Sequence, residues 1–430
     1  MPKKNIKIGL LGLGTVGSGT YSILQKNQEL LLARSGFHFE ISRILVNNLQ
    51  KQRNVSVPKE LLTVDASQVL RDPEIDVVVE LIGGVTTAYE YIKEALEQGK
   101  YVVTANKDLM ATRGEELHHL ALERKVKIFY EASVGGGIPL IRSLQYSLGA
   151  NRIVRIMGII NGTTNYILTK MSTENMDFAS ALSEAQAKGF AEQDPSSDLE
   201  GWDAAYKLAI LARLAFDTTV DIEDIHVEGI SMVNIQDIKY ARELGFTIKL
   251  LAIGEERGEG IALKVHPTLI PVRHPLASVN YEFNAIFAEG DAVGEVMFFG
   301  RGAGDMPTGS SVVADLMEAA GEIVFMKGKT SQVHKFGRRL IYPVSELLSP
   351  FYLRLQATDE PGVFGRLATV FGEENISLDM IIQKRSEKGI AEIVLVTHAV
   401  QEKQLEAALN KVHRFPAVDK VSSVYRVIEK

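Results

Sequence analysis

Apolar residues in the first 150 positions fall in short continuous runs, separated by longer stretches whose apolar positions repeat every three to four residues. The runs at 5–11 (NIKIGLL), 39–46, 76–82 (DVVVELI), 101–105 (YVVTA) and 126–133 predict strands, with helices over 18–32 and 88–98 between them. Continuous rather than alternating runs suit strands covered on both faces, so the pattern predicts an α/β region built on a doubly wound parallel sheet. Near residue 150 the alternation stops. A strand over 152–161 opens an α+β region, with helices over 166–171, 178–188 and 202–215 and strands over 247–254 and 261–265. Beyond it the order strand 351–357, helix 363–373, strands 377–385 and 391–397, helix 401–412, strand 418–427 has the β-α-β-β-α-β sequence of a ferredoxin-like module. The predicted domains are therefore 1–150, completed by a returning helix at 310–326; 151–309; a polar, basic linker at 327–350; and 351–430.

Composition narrows the function classes. The 430 residues carry a net charge of −7 and 46% hydrophobic residues, with no basic stripe to meet nucleic acid. No apolar run reaches transmembrane length and Lys3-Lys4 leads straight into a strand, so no membrane partner and a cytoplasmic location are expected. Cysteine is absent, which excludes disulfides, thiolate metal sites and any aldehyde oxidation through a thioester. The nine histidines show no ligand spacing, and His118-His119 reads as a solvated pair on an exposed helix.

The first strand runs into Gly12-Leu13-Gly14-Thr15-Val16-Gly17 and then a helix, the context in which G-x-G-x-x-G binds a dinucleotide; an ordinary glycine-rich turn is the alternative. The second strand ends at Asn47-Asn48, with Lys51 and Arg53 behind it and no acidic residue for a ribose 2′-hydroxyl, so NADP is permitted. Asn106-Lys107 follow another strand at the sheet end where such folds bind ligands, although a surface loop would also hold a lysine there. Glu131 precedes Val134-Gly135-Gly136-Gly137-Ile138-Pro139, whose carbonyls could lodge a hard cation; spacing alone favours a plain turn. Residues 161–165 (NGTTN) supply small polar groups that either line a site or cap a helix. The densest constellation is 189–213, GFAEQDPSSDLEGWDAAYKLAILAR. Glu192 and Asp198 stand in its loop, and Asp203 and Lys207, four apart, share one face of an otherwise apolar helix. A partly buried lysine beside carboxylates can carry a transferable proton.

These motifs together make the chain resemble the homoserine dehydrogenase family over nearly its full length, and 351–427, with DEPGVFG, resemble an ACT domain, a regulatory module that binds amino acids. The resemblance implies a Rossmann-type first domain, a catalytic and dimerisation domain, and an ACT tail. It implies reversible NAD(P)H-dependent reduction of L-aspartate 4-semialdehyde to L-homoserine, on the route to threonine, methionine and isoleucine. Lys207 would then be the general acid, with Lys107 between cofactor and substrate as a second cation lowering its pKa. Glu192 and Asp203 would bind the substrate's amino end, supported by Asp198. Gly12, Gly14, Thr15, Val16, Gly17, Asn106, Lys107, Gly189 and Gly304 would meet NADP or NAD. Glu131 and the carbonyls of Val134, Gly136 and Ile138 would hold a monovalent cation, Na+ or K+. Asp359, Gly362, Gly365 and Asn375 would bind an amino-acid effector, threonine first, and the enzyme would assemble as a homodimer or homotetramer. Many family members carry an arginine where Asn47 or Asn48 stands, so the resemblance does not carry over an NADP preference and permits use of both cofactors.

Overall fold

Strand Asn5–Leu11 is buried on both faces, with Ile6, Ile8, Leu10 and Leu11 almost wholly out of solvent. It pairs in parallel with His38–Leu45 on one side and Val77–Glu80 on the other. The whole sheet runs Leu62–Thr63, His38–Leu45, Asn5–Leu11, Val77–Glu80, Tyr101–Thr104, Ile128–Phe129, every pair parallel. The chain order reverses between Asn5–Leu11 and Val77–Glu80, and such a reversal opens a crevice at the carboxyl ends of the strands. This computed structural model describes residues 5–326, 337–387 and 389–429. The chain forms two compact units, one of 1–153, 206–222 and 290–338, the other of 154–205, 223–289 and 339–430.

Around the first sheet lie helices Thr15–Lys26, Gln28–Ser35, Thr86–Glu97, Lys107–Glu123 and Asp305–Gly321. The single helix expected over 18–32 is two, because Asn27 leaves helical geometry (φ −110°, ψ 17°) and ends one helix as it starts the next. Its short polar side chain makes asparagine a weak helix interior residue. The returning helix begins at Asp305, five residues before the expected 310, behind Gly304, whose φ of +123° stops the chain from being helical earlier.

The second unit carries a mixed sheet. Phe246–Arg257 and Gly260–Pro271 form a twelve-pair antiparallel hairpin, flanked by Ile153–Ile159. On the other side Gly260–Pro271 pairs in parallel with Val418–Val427, at Thr268↔Arg426 and Leu269↔Val427. The sheet then continues through Phe351–Thr358, Ile390–Thr397 and Leu378–Glu387. The carboxyl-terminal module is thus not a separate layer; its β-strands extend the sheet of the preceding region. Its helices, Val363–Glu373 and Glu402–Val412, pack Leu367, Phe371, Leu405 and Val412 on one side of these strands, against Leu353, Leu355, Ile393 and Leu395. Of the expected linker, 327–336 lie outside the described residues; within 337–350 Leu340–Ile341 pairs with Gly260 and Ile261, and Leu348–Ser349 with Val400 and Gln401.

Candidate active site

Each glycine of the first turn has a separate physical reason. Gly12 sits at φ +98°, and a Cβ there would come within 2.8 Å of the Leu81 carbonyl. At Gly17 a Cβ would overlap the Gly12 carbonyl, so the helix packs directly on the turn. Gly14 has nothing within 4 Å of a notional Cβ, which leaves backbone open above the amino terminus of Thr15–Lys26. No side chain caps that terminus, and its amides and dipole suit a diphosphate. The three roles are those a dinucleotide turn requires, so the residues fit a nicotinamide cofactor. Glu80, fully buried at the neighbouring strand end, accepts from the amides of Ile82 (2.8 Å) and Gly83 (3.1 Å) and from the Thr104 hydroxyl (2.7 Å). It shapes the 81–84 loop beside the turn. Asn106 ties in the third loop: its amide donates to the Gly84 carbonyl (2.6 Å) while its Oδ1 accepts from the Leu109 amide, capping Lys107–Glu123. Lys107 opens that helix, 3.6 Å from the Asp108 carboxylate.

Helix Asp305–Gly321 reaches helix Thr15–Lys26 by close approach. A Cβ on Gly19 would collide with the Asp305 carbonyl, and one on Gly309 would stand 2.8 Å from the Thr20 amide nitrogen. Gly304 is the cap of this helix.

In the second unit the carboxylates are gathered by one side chain. The Asn161 amide donates to Asp198 Oδ1 (2.7 Å) and to Asp203 Oδ2 (2.8 Å), while its Oδ1 accepts from the Thr164 amide (2.8 Å) and caps Gly162–Glu174. The Thr163 hydroxyl lies 2.9 Å from Asp198 Oδ2. Of the two roles open for 161–165, Asn161 fills the capping one, and it also bonds two of the candidate carboxylates. Asp203 is buried and Lys207 half-buried on the continuous helix Trp202–Phe216, one turn apart. Glu192 is exposed in the preceding loop, and Gly189 has φ +76°.

The Glu131 carboxylate is engaged by backbone amides. It accepts from the amides of Leu140 (2.6 Å), Ile141 (2.8 Å) and Arg142 (2.9 Å), the start of a short helical segment, and its own amide donates to Asp315. Gly135 and Gly136 have φ of +71° and +51°, and the Gly136 carbonyl accepts from the Ser311 hydroxyl (2.6 Å). Among the described residues no cluster of His, Asp and Glu has metal-holding geometry. A cavity of about 1020 Å3 lies along Ile128–Phe129, lined among others by His118, Tyr130, Arg142 and Arg213. It holds none of the glycine turn, and size alone gives it no chemistry. His118 is not the solvated residue expected: it packs on Tyr130 (5.3 Å between rings), and burial together with Arg213 pushes it down to about 4.

Residues 139–317 match the family profile described as homoserine dehydrogenase, 12–131 its NAD-binding domain and 351–417 the ACT domain. Homoserine dehydrogenase of Bacillus subtilis is 45% identical over 427 residues, 99% of this chain and 98% of its own. The chain belongs to the homoserine dehydrogenase family. It is an oxidoreductase acting on the hydroxyl group of homoserine, with an NAD(P)-binding domain and an ACT domain. A homoserine dehydrogenase from Thiobacillus denitrificans superposes over 100% of both chains with a TM-score of 0.95 at 41% identity. A hyperthermophilic archaeal homoserine dehydrogenase solved with NADPH covers 73% of this chain and 97% of its own, with a TM-score of 0.61 at 26% identity.

Within the ACT domain the expected effector residues separate. Asp359, Gly362 and Gly365 lie at the start of Val363–Glu373, where Asp359 accepts from the Gln383 amide (3.1 Å). Asn375 follows the far end of that helix, roughly 16 Å away by helix rise. Glu80, outside the expected set, and Asn161 and Thr163, within the 161–165 stretch, hold these loops in place. A charge inside DVVVELI was the available signal for Glu80.

Proposed function

We propose that Lys207 is the general acid of this homoserine dehydrogenase, protonating the carbonyl oxygen of L-aspartate 4-semialdehyde as L-homoserine forms and taking the proton back in the reverse direction. The bound nicotinamide supplies or accepts the hydride. Glu192 and Asp203 hold the substrate's ammonium, Asp198 buttresses that shell, and Lys107 stands between cofactor and substrate. Gly12, Gly14, Thr15, Val16 and Gly17 cradle the diphosphate, with Asn106, Gly189 and Gly304 completing the cofactor's surroundings. The observation that carries the reading is the Asn161 amide shared by Asp198 and Asp203, which fixes a buried carboxylate one helical turn from Lys207. The product would feed threonine, methionine and isoleucine synthesis.

The test follows NAD(P)H absorbance with L-homoserine at alkaline pH. Wild type turns over, and Lys207→Ala loses roughly 10²–10⁴-fold in kcat while still binding cofactor. A wild type that binds cofactor and never oxidises homoserine sinks the assignment. Both NAD and NADP serve: Asn47 is exposed and uncharged, and the Arg53 guanidinium is turned onto the carbonyls of Asn48 and Lys51. Asn47→Asp then shifts the ratio of kcat/KM toward NAD, by repelling a 2′-phosphate and accepting from a ribose hydroxyl.

A monovalent cation, Na+ or K+, sits on Glu131 and the carbonyls of Val134, Gly136 and Ile138, and Glu131 also organises the loop through the three amides it accepts from. Replacing both ions by tetramethylammonium lowers activity on this reading and leaves it unchanged otherwise. Threonine is the proposed effector at Asp359, Gly362 and Gly365, with Asn375 contributed in an assembly of two or four chains; inhibition by threonine and light scattering test the two parts. The location proposed is cytoplasmic; no helix among the described residues is long and apolar enough to cross a membrane.

A further inference from the structure

The Asp198 turn rests on the segment 226–231, and that segment is fastened to the last strand of the chain. The contact at the turn is backbone on backbone: the Ile230 amide donates to the Leu199 carbonyl (2.7 Å), and a Cβ on Gly229 would overlap that same carbonyl. Gly201, at φ +87°, closes the turn through its amide to the Asp198 carbonyl (3.1 Å), and a Cβ there would stand 3.3 Å from the Glu228 carbonyl. The Ser231 hydroxyl adds a bond to Glu200 Oε1 (2.5 Å). With so little side chain between them, a shift of 226–231 carries the Asp198 turn with it, since packed backbone does not compress.

Glu228 anchors the segment from the other side. Its amide donates to the Val265 carbonyl (2.7 Å), and its carboxylate accepts from Arg426 Nη1 (2.8 Å) with His226 Nε2 at 2.6 Å. Burial works against the charge of Glu228, but His226 and Arg426 hold its carboxyl below the usual range. Arg426 is itself buried, paired also with Glu402 at the start of Glu402–Val412, and lies where Val418–Val427 meets Thr268 on one side and Phe351 on the other.

We propose that Arg426, from the last strand of the carboxyl-terminal module, is a positioning residue of the substrate site, acting through Glu228 and the 226–231 segment to hold Asp198. The proposal rests on the assignment of Asp198 to the substrate shell. A local change in the ACT strands is thereby carried to the substrate carboxylates without passing through the cofactor turn.

The test uses the full chain and steady-state kinetics of Arg426→Gln, Glu228→Gln, the double variant, Arg426→Lys and Asp198→Asn, with thermal unfolding of each. Arg426→Gln and Glu228→Gln each raise the homoserine KM about tenfold and leave the cofactor KM unchanged. The double variant is no worse than the larger single change, because both act on one link. Arg426→Lys, which keeps the charge, recovers part of the loss. A merely structural arginine would lower the melting temperature without this split between the two KM values. An unchanged homoserine KM in either folded single variant, or singles that multiply in the double, overturns the proposal. Asp198→Asn separates the two levels: if it raises the homoserine KM while Arg426→Gln does not, the positioning role fails and the site assignment stands. If Asp198→Asn changes nothing, the assignment fails and takes the proposal with it.

Discussion

At the scale of single residues, Asn161 concentrates several functions in one amide. Both of its Nδ2 hydrogens are spent on carboxylates and its Oδ1 on a helix cap, so no substitution preserves all three bonds. Asn161→Ala leaves buried Asp203 without that donor and removes a cap; it should cost about 1–3 kcal/mol in denaturant unfolding and raise the homoserine KM. A variant with wild-type stability and KM would show that the carboxylates are held by other groups. Lys249 is the second such residue. It is buried against neutral acceptors, Asn165 Oδ1 (2.9 Å), the Val279 carbonyl (2.6 Å) and Asn280 Oδ1 (3.1 Å), and burial pushes it down to about 7. An unfolded lysine keeps its proton to about 10.4. Between these values the unfolded chain binds the extra proton, so this group's penalty is full below about pH 7 and is relieved as pH rises toward 10. The stability of wild type relative to Lys249→Met should therefore rise from pH 7 to 10 in thermal unfolding; a flat difference would mean that the ammonium stays charged in the fold.

Among the elements, the crossing of Thr15–Lys26 with Asp305–Gly321 depends on two residues with no side chain. Gly19→Ala places a methyl against the Asp305 carbonyl and must push the helices apart, at about 1–3 kcal/mol or more. Because Thr15–Lys26 begins at the glycine turn, the same change should weaken NAD(P) binding in a titration, whereas a lowered melting temperature with unaltered affinity would uncouple helix packing from the turn. Neither Gly19 nor Gly309 is legible in the sequence. Gly12, Gly14 and Gly17 are, since their spacing answers to local geometry; Gly19 and Gly309 answer to a partner almost 290 residues away in the chain. The same distinction runs through the site. Asp203 and Lys207 could be read from helical spacing, but the sharing of Asn161 by Asp198 and Asp203 joins residues 37 and 42 apart. Glu131 is the reverse case: a carboxylate beside a glycine loop could be read as a ligand, but the amides nine to eleven residues ahead that it also accepts from left no signal in the spacing.

For the molecule as a whole, the consequential feature is that the carboxyl-terminal module shares its sheet with the region before it. Among the described residues two pairs, Thr268↔Arg426 and Leu269↔Val427, make the parallel join, too few to leave a pattern in the sequence. A buried polar cluster fastens it. Asp237, on helix Ile235–Glu243 and wholly buried, accepts from Arg354 Nε (2.6 Å), the Ser423 hydroxyl (2.6 Å) and the Tyr352 hydroxyl (3.1 Å), all three from the module's strands. Arg354 also bonds Glu392 (2.6 Å). A buried carboxylate deprived of its cation is costly, so Arg354→Ala should destabilise by about 3–5 kcal/mol, while replacing the pair together with apolar residues should cost far less. The continuous sheet decides where that loss is felt. If the module were an appended domain, calorimetry would show it melting alone, and Arg354→Ala would move only that transition. With strands 260–271 and 418–427 in one sheet, the module and the preceding region should melt in a single transition that the variant shifts as a unit. Ligand that stabilises the module should raise that same transition, since binding to the folded form lifts everything that unfolds with it. A separate low-temperature peak carrying the whole effect of Arg354→Ala would instead mean that the two-pair join breaks first, and that the ACT strands reach the Asp198 turn only while it holds.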